Sequence, residues 1–413
     1  MPARVSPAAD SSGDGARGWC WRRLRQPPGR GGRPSSAPPP ARTVRRPERL
    51  LVGLLRVTAV LSDSSWPALL YALFVHVIGA LGVVVHMHQQ GASMLLEGRK
   101  IVEVIADTGY MGLVFGLMLT TTACSFGAGR RRCGAVFKTI GRLLDRVAEL
   151  PAYERHGRQL HRYFIWLLLA ILGLVLYQFA MTLHVLKTSA ALNTASQQRI
   201  IHVFSECLYP VLFLAVHLVL AKFLIAGLQL LAGFQAVTEQ LRSTAEEKQS
   251  PDDTVLQKLR SLHDELSDAF AAVTKAMTYE LVAVMTYGTL SSTSISLNLI
   301  RTVVMGRLDG GLFQTFLHIA SASVAVSLPC EVAQRVLDTV GQTQHVLLMP
   351  QWLASQWEQE LGQFREKVNR DLSTLGDLGL FRLKRSSILS IMATVLTYII
   401  VLVQFYLTEL TSN

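Results

Sequence analysis

Apolar residues in this chain gather in long blocks. Seven stand out, at roughly 66–86, 104–126, 163–185, 201–230, 279–300, 312–334 and 387–408. A helix of about 20 apolar residues matches the roughly 30 Å hydrocarbon core of a bilayer. The pattern therefore predicts an all-α membrane protein with seven transmembrane helices. Trp66-Pro67 opens the first block with an interfacial aromatic and a proline suited to a first helical turn. The fourth block is long for a plain span and contains Pro210 and Lys222, so its C-terminal part is expected to project beyond the membrane. Pro329 is expected to interrupt the sixth near its end.

Two segments between blocks carry a different period. In 233–275, Leu256, Leu259, Leu262 and Leu266 recur at helical spacing among charges. In 336–372, Val346, Leu347, Trp352, Leu353, Trp357 and Leu361 lie among charged residues in the same way. These amphipathic helices fit either a packed anchor region or helices lying on the membrane surface. Leu50–Leu61 is apolar but broken by Arg56, as expected of an interfacial helix before the first span. Residues 1–49 are low in complexity, with Pro38-Pro39-Pro40 and a Gly-rich run at 29–32, and are expected to form a disordered basic tail. The tail has no apolar core of a signal peptide. The remaining chain, 50–413, reads as one seven-helix domain.

Charge fixes the expected orientation. Half of the residues are hydrophobic and only 17% are charged, yet the net charge is +11. A basic excess of this kind suits nucleic acid or the inner loops of a membrane protein, and its placement decides for the second. With the N-terminus inside, 33 of the 40 Lys and Arg residues fall on the inner side, and Arg130-Arg131-Arg132 directly follow the second block. Outer loops keep Arg99, Lys100, Lys187, Arg199, Arg301 and Arg307. The predicted topology is N-terminus in, C-terminus out. That is the inverse of G-protein-coupled receptors, whose marker motifs are also missing. The five cysteines are scattered, as free thiols would be. No phosphate-binding glycine loop, H-E-x-x-H or nucleophile with a paired base is present, so neither enzyme, cofactor nor metal is expected.

The last block reads Thr397-Tyr398, five apolar residues, then Gln404-Phe405. Thr397, Val401, Gln404 and Thr408 share one helical face, and Tyr398, Leu402, Phe405 and Glu409 the next. Such a helix suits a pore lining, or a helix whose Gln404 bonds a neighbour. The T-Y-x5-Q-F pattern resembles the signature that closes arthropod gustatory receptors, as do Gly379-Leu380-Phe381 and Arg382, Lys384 and Arg385 upstream of it. The resemblance covers about 50–413. It implies a homotetramer or mixed tetramer gated by a small-molecule tastant, with the last helices around a cation pore, an inner anchor, and a ligand pocket in the outer half of each subunit. Thr397, Tyr398, Val401, Gln404, Phe405 and Glu409 would then form pore and gate.

Polar residues inside the blocks gather at one depth. Glu103, Asp107 and Tyr110 lie at i, i+4 and i+7; His202, Glu206 and Tyr209 repeat the spacing, as do Gln314, His318 and Ser321. Gln178 and Thr182 add to them, with a hydroxyl-rich stretch from Thr289 to Ser296. Intramembrane polar groups face a cavity or a partner. They outline a pocket for a polyhydroxylated or amine-bearing molecule, or else pair internally, Glu206 with His318 for example, and back-bond to carbonyls. Two other functions fit the class: a receptor without its own pore, and a secondary transporter, which should show an internal repeat that is missing here. A tag after Asn413 should bind antibody on intact cells and one before Arg49 only after permeabilisation; a C-terminal tag hidden until permeabilisation contradicts the seven-span topology.

Overall fold

The computed structural model describes residues 53, 66–96, 112–121, 123–124, 128–190, 196–246, 253–304, 312–353 and 358–412. The helices are α1 (Trp66–Leu96), α2 (Gly112–Thr121), α3 (Ala128–Val147), α4 (Tyr153–Ala190), α5 (Ser196–Glu246), α6 (Asp253–Val304), α7 (Leu312–Leu347), α8 (Pro350–Leu353), α9 (Glu358–Thr374) and α10 (Arg385–Ser412). Each predicted block falls on helix where it is described. The interfacial helix expected at Leu50–Leu61 and the tail lie outside the described residues, Gly53 apart.

The bundle is built around α5. Its side chains from Val216 through Leu241 are almost all buried, and it packs against α1, α3, α4, α6 and α7. This follows from composition: apolar residues lie on every side of the helix there, with only a few polar ones such as Lys222 among them. α5 runs for 51 residues and α6 for 52, longer than a bilayer needs, which leaves room for the expected overhang. One expectation fails. Pro329 lies inside α7 and does not end it; the helix continues to Leu347. A proline in a helix packed on neighbours loses one hydrogen bond without losing the helix. Where α6 meets α7, a Cβ on Gly288 would sit 2.7 Å from the Ala322 carbonyl oxygen, so glycine sets this close approach.

Among the described residues, three helices are long and apolar enough to cross a membrane: Tyr153–Leu183, Leu212–Glu246 and Thr315–Leu347. Gly112–Thr121 and Arg385–Val401 are shorter apolar stretches. The hydroxyl-rich stretch of α6 lowers its hydropathy; within it Thr289 and Thr293 donate to the Met285 and Thr289 carbonyls at 2.8 and 2.9 Å. That back-bonding is the internal alternative for these two threonines.

At one end, here called basal, α9 packs on α6 and α7. Leu256, Leu259, Leu262, Leu266, Val346, Leu347, Trp352 and Leu361 are all buried, so the two amphipathic segments pack on each other. His263 is enclosed between Phe234 and Phe364, with ring centroids 5.3 and 5.2 Å away, and its Nε2 lies 3.4 Å from Asp371. Ser267 donates to the same carboxylate at 2.6 Å. Burial pushes Asp371 up, but the nearby His263 ring, the Ser267 hydrogen bond and the Lys367 charge outweigh it and hold the carboxyl below its ordinary value. A turn at Gly376, with φ of 78°, then reverses the chain. The Arg382 guanidinium staples the turn by donating to the Leu375 and Leu372 carbonyls.

Between α5 and α6 lies a wholly buried ion pair, Lys222 Nζ to Glu280 Oε2 at 2.5 Å. Removing one partner strands a charge in an apolar interior, at a cost of about 3–5 kcal/mol; replacing both with apolar residues is close to neutral. Lys222→Met or Glu280→Gln alone should lower the thermal midpoint of the purified protein markedly, and Lys222→Met with Glu280→Leu should recover most of it. A double variant as unstable as the sum of the singles would contradict this account.

Candidate functional site

Away from the basal end, α4, α5 and α7 bring polar side chains together inside the bundle. His217 on α5 has Nδ1 2.7 Å from the Phe213 carbonyl oxygen and Nε2 2.6 Å from the Ser321 hydroxyl of α7. A carbonyl only accepts, so Nδ1 carries the hydrogen and Nε2 accepts from Ser321. The Phe213 ring packs against both His217 and His318, with centroids 4.3 and 5.5 Å apart, and His318 meets Tyr177 edge-on at 6.5 Å. The cluster thus joins three helices through aromatic and hydrogen-bonding groups.

Two neighbouring side chains of α4 carry unpaired groups. The Tyr177 hydroxyl and the Gln178 Nε2 are buried and have no hydrogen-bond partner among the described residues. A buried polar group without a partner costs about 1–3 kcal/mol. Thr182 has no such surplus, because its hydroxyl donates to the Gln178 carbonyl at 2.9 Å.

Of the residues expected to line a pocket, His318 belongs to this cluster, and Gln178 is buried on α4 next in sequence to Tyr177. Glu103, Asp107 and Tyr110 lie outside the described residues. His202, Glu206 and Tyr209 are carried on α5 and Gln314 on α7, but their side chains lie outside the described residues. Tyr177 and His217 were not expected. His217 was findable: the spacing 202, 206, 209 continues through Phe213 to position 217. A cleft of about 500 Å³ at the basal end, lined by Gln334, Asp338, Gln342, His345 and Lys384, lies away from this cluster.

The last helix is anchored at its base and bare beyond. Arg385 donates to both Glu331 oxygens, from Nε at 2.8 Å and from a terminal nitrogen at 2.9 Å, pinning the start of α10 to α7. Val395 is the last side chain of α10 that the structure shows buried. Further on, Thr397, Tyr398, Val401, Gln404 and Thr408 are exposed, Tyr398 by 60%. Thr397 and Thr408 donate to the carbonyls one turn back, both at 2.9 Å. The side chains of Phe405 and Glu409 lie outside the described residues.

The sequence profile of the 7tm Chemosensory receptor family matches residues 54–409, nearly the whole chain. The chain belongs to the 7tm chemosensory receptor family. No curated protein matches it. Among solved structures, this receptor resembles the insect olfactory receptor OR5 from Machilis hrabei in complex with eugenol, with a TM-score of 0.66 over 87% of this chain and 97% of that one. At 13% identity that likeness concerns the fold. The family is one of receptors, which agrees with the lack of any enzyme motif. Its profile and the apolar helices together make the receptor a helical membrane protein.

Tyr177→Phe and Gln178→Leu remove the stranded groups from the receptor. Each should hold or raise the thermal midpoint of the ligand-free protein, and raise the activating concentration of a ligand by about tenfold if that ligand completes the hydrogen bond. Reduced stability in both variants would show that the two groups already have partners.

Proposed function

We propose that this receptor is a gustatory-type, ligand-gated, non-selective cation channel of the plasma membrane. In this reading seven helices cross the bilayer, with the N-terminus inside and the basal bundle in the cytoplasm. Four copies, of this chain alone or mixed with relatives, surround a pore lined by α10. A small-molecule tastant binds among Tyr177, Gln178, His217 and His318, with Glu103, Asp107, Tyr110, His202, Glu206, Tyr209 and Gln314 as further contacts. The domain is 50–413, preceded in sequence by the basic tail at 1–49.

One observation carries the reading: Thr397, Tyr398 and Gln404 of the T-Y-x5-Q-F signature are exposed on the single chain, as is Val401 between them. An amide turned to hydrocarbon is unsatisfied, whereas a pore supplies water and an assembly supplies partners. The solved relative, held with eugenol, supports a small organic ligand for this chain too.

Phe405 forms the gate in this account. Four phenylalanine rings about an axis leave an apolar throat that water, and hence a hydrated cation, avoids. Purified Phe405→Ala protein in a planar bilayer should pass cation current without ligand, and the parent protein should not. Glu409→Gln should lower single-channel conductance most at low salt, where a charge at the mouth is least screened. A Phe405→Ala protein that inserts normally and stays silent contradicts the gate.

A further inference from the structure

The outward face of α4 changes character along one continuous stripe. Trp166, Leu169, Leu172, Leu176, Phe179 and Leu183 are exposed, Trp166 by 70%, and recur at helical spacing. The opposite face buries Leu160, Phe164, Ile171 and Gln178. Continued toward the basal end, the same stripe becomes Arg162, Arg158 and Arg155, all exposed. The stripe is therefore lipid-facing above and cationic below, and Trp166 with Arg162 marks the headgroup level.

These cations are unspent. Arg155 and Arg162 have no ion-pair or hydrogen-bond partner among the described residues, and Arg158 has only Glu154, 3.7 Å away with 83% of its side chain exposed. An exposed pair of that kind contributes little. No other acidic side chain stands on this stretch of α4.

We propose that this face binds an inner-leaflet phosphoinositide, a lipid with phosphomonoesters on a tall inositol headgroup. The spacing selects the class. With about 1.5 Å of rise per residue, Arg158 lies roughly 6 Å and Arg155 roughly 10 Å below Arg162 along the axis. Arg162 reaches the phosphodiester that every phospholipid has. The lower two stand where a single-charge headgroup presents nothing, and where ring phosphates project. Basic clusters just inside a membrane helix attract such lipids. The inference rests on the N-terminus-in topology, which places the basal end in the cytoplasm.

The test uses the full chain in phosphatidylcholine nanodiscs, with phosphatidylserine or phosphatidylinositol bisphosphate added at equal total charge, and native mass spectrometry of retained lipid. The expected result is selective retention of the bisphosphate lipid, with soluble inositol trisphosphate a weak competitor. Retention should weaken by roughly fivefold for each arginine replaced by glutamine, and by on the order of a hundredfold for all three. Arg155→Gln should affect the bisphosphate lipid alone, whereas Arg162→Gln should affect both lipids. Equal retention of phosphatidylserine, or undiminished retention by the triple variant, overturns the site. Labelling of Arg158→Cys on intact cells by a membrane-impermeant thiol reagent overturns the topology instead, and that outcome is separate from the lipid result.

Discussion

A membrane helix that exposes an amide must be covered by something other than lipid. Gln404 imposes that constraint on this protein. Hydrocarbon offers no partner for the side chain, whereas the threonines beside it satisfy themselves on their own backbone. The single chain leaves it exposed: α10 is held near its start by the Arg385–Glu331 clamp and packs on α6 and α7, while Gln404 further out is exposed. The proposed assembly of several copies around α10 would supply that cover.

The rest of the bundle supports that arrangement. The enclosed α5 gives the other helices a common surface, and Lys222–Glu280 fixes its register against α6. A buried pair is a costly way to hold two helices, but it disfavours any rotation that separates the charges. α7 contacts both functional regions. Its Ser321 and His318 belong to the polar cluster, and its Glu331 holds the first residue of α10. A ligand that shifted α7 would act on the base of the last helix directly, with Pro329 between the two contacts.

Much of the fold is legible in the sequence, because long apolar blocks and leucine spacing follow directly from burial. The leucines of 256–266 announce the basal packing, and the helices do extend beyond the blocks. Pro329 misleads because its local effect is overridden by packing on the neighbouring helices. The partner of Lys222 is not legible: Glu280 sits in another helix at the edge of its block, and only the tertiary fold puts the two together. His318 of the polar cluster and the buried Gln178 could be read from their positions inside apolar blocks. Tyr177 could not be ranked above other polar residues, because what distinguishes it is His318, contributed by a different helix, whereas His217 continues the 202, 206, 209 spacing and meets Ser321 only in the fold.

The central claim is that copies of this chain assemble around α10. Gln404→Cys protein in native-like membranes, treated with a short thiol cross-linker and weighed as the intact complex, tests it directly. The account predicts four subunits and cross-links between copies through position 404. A single-chain mass, with position 404 reacting only with lipid-soluble monofunctional reagents, would contradict it.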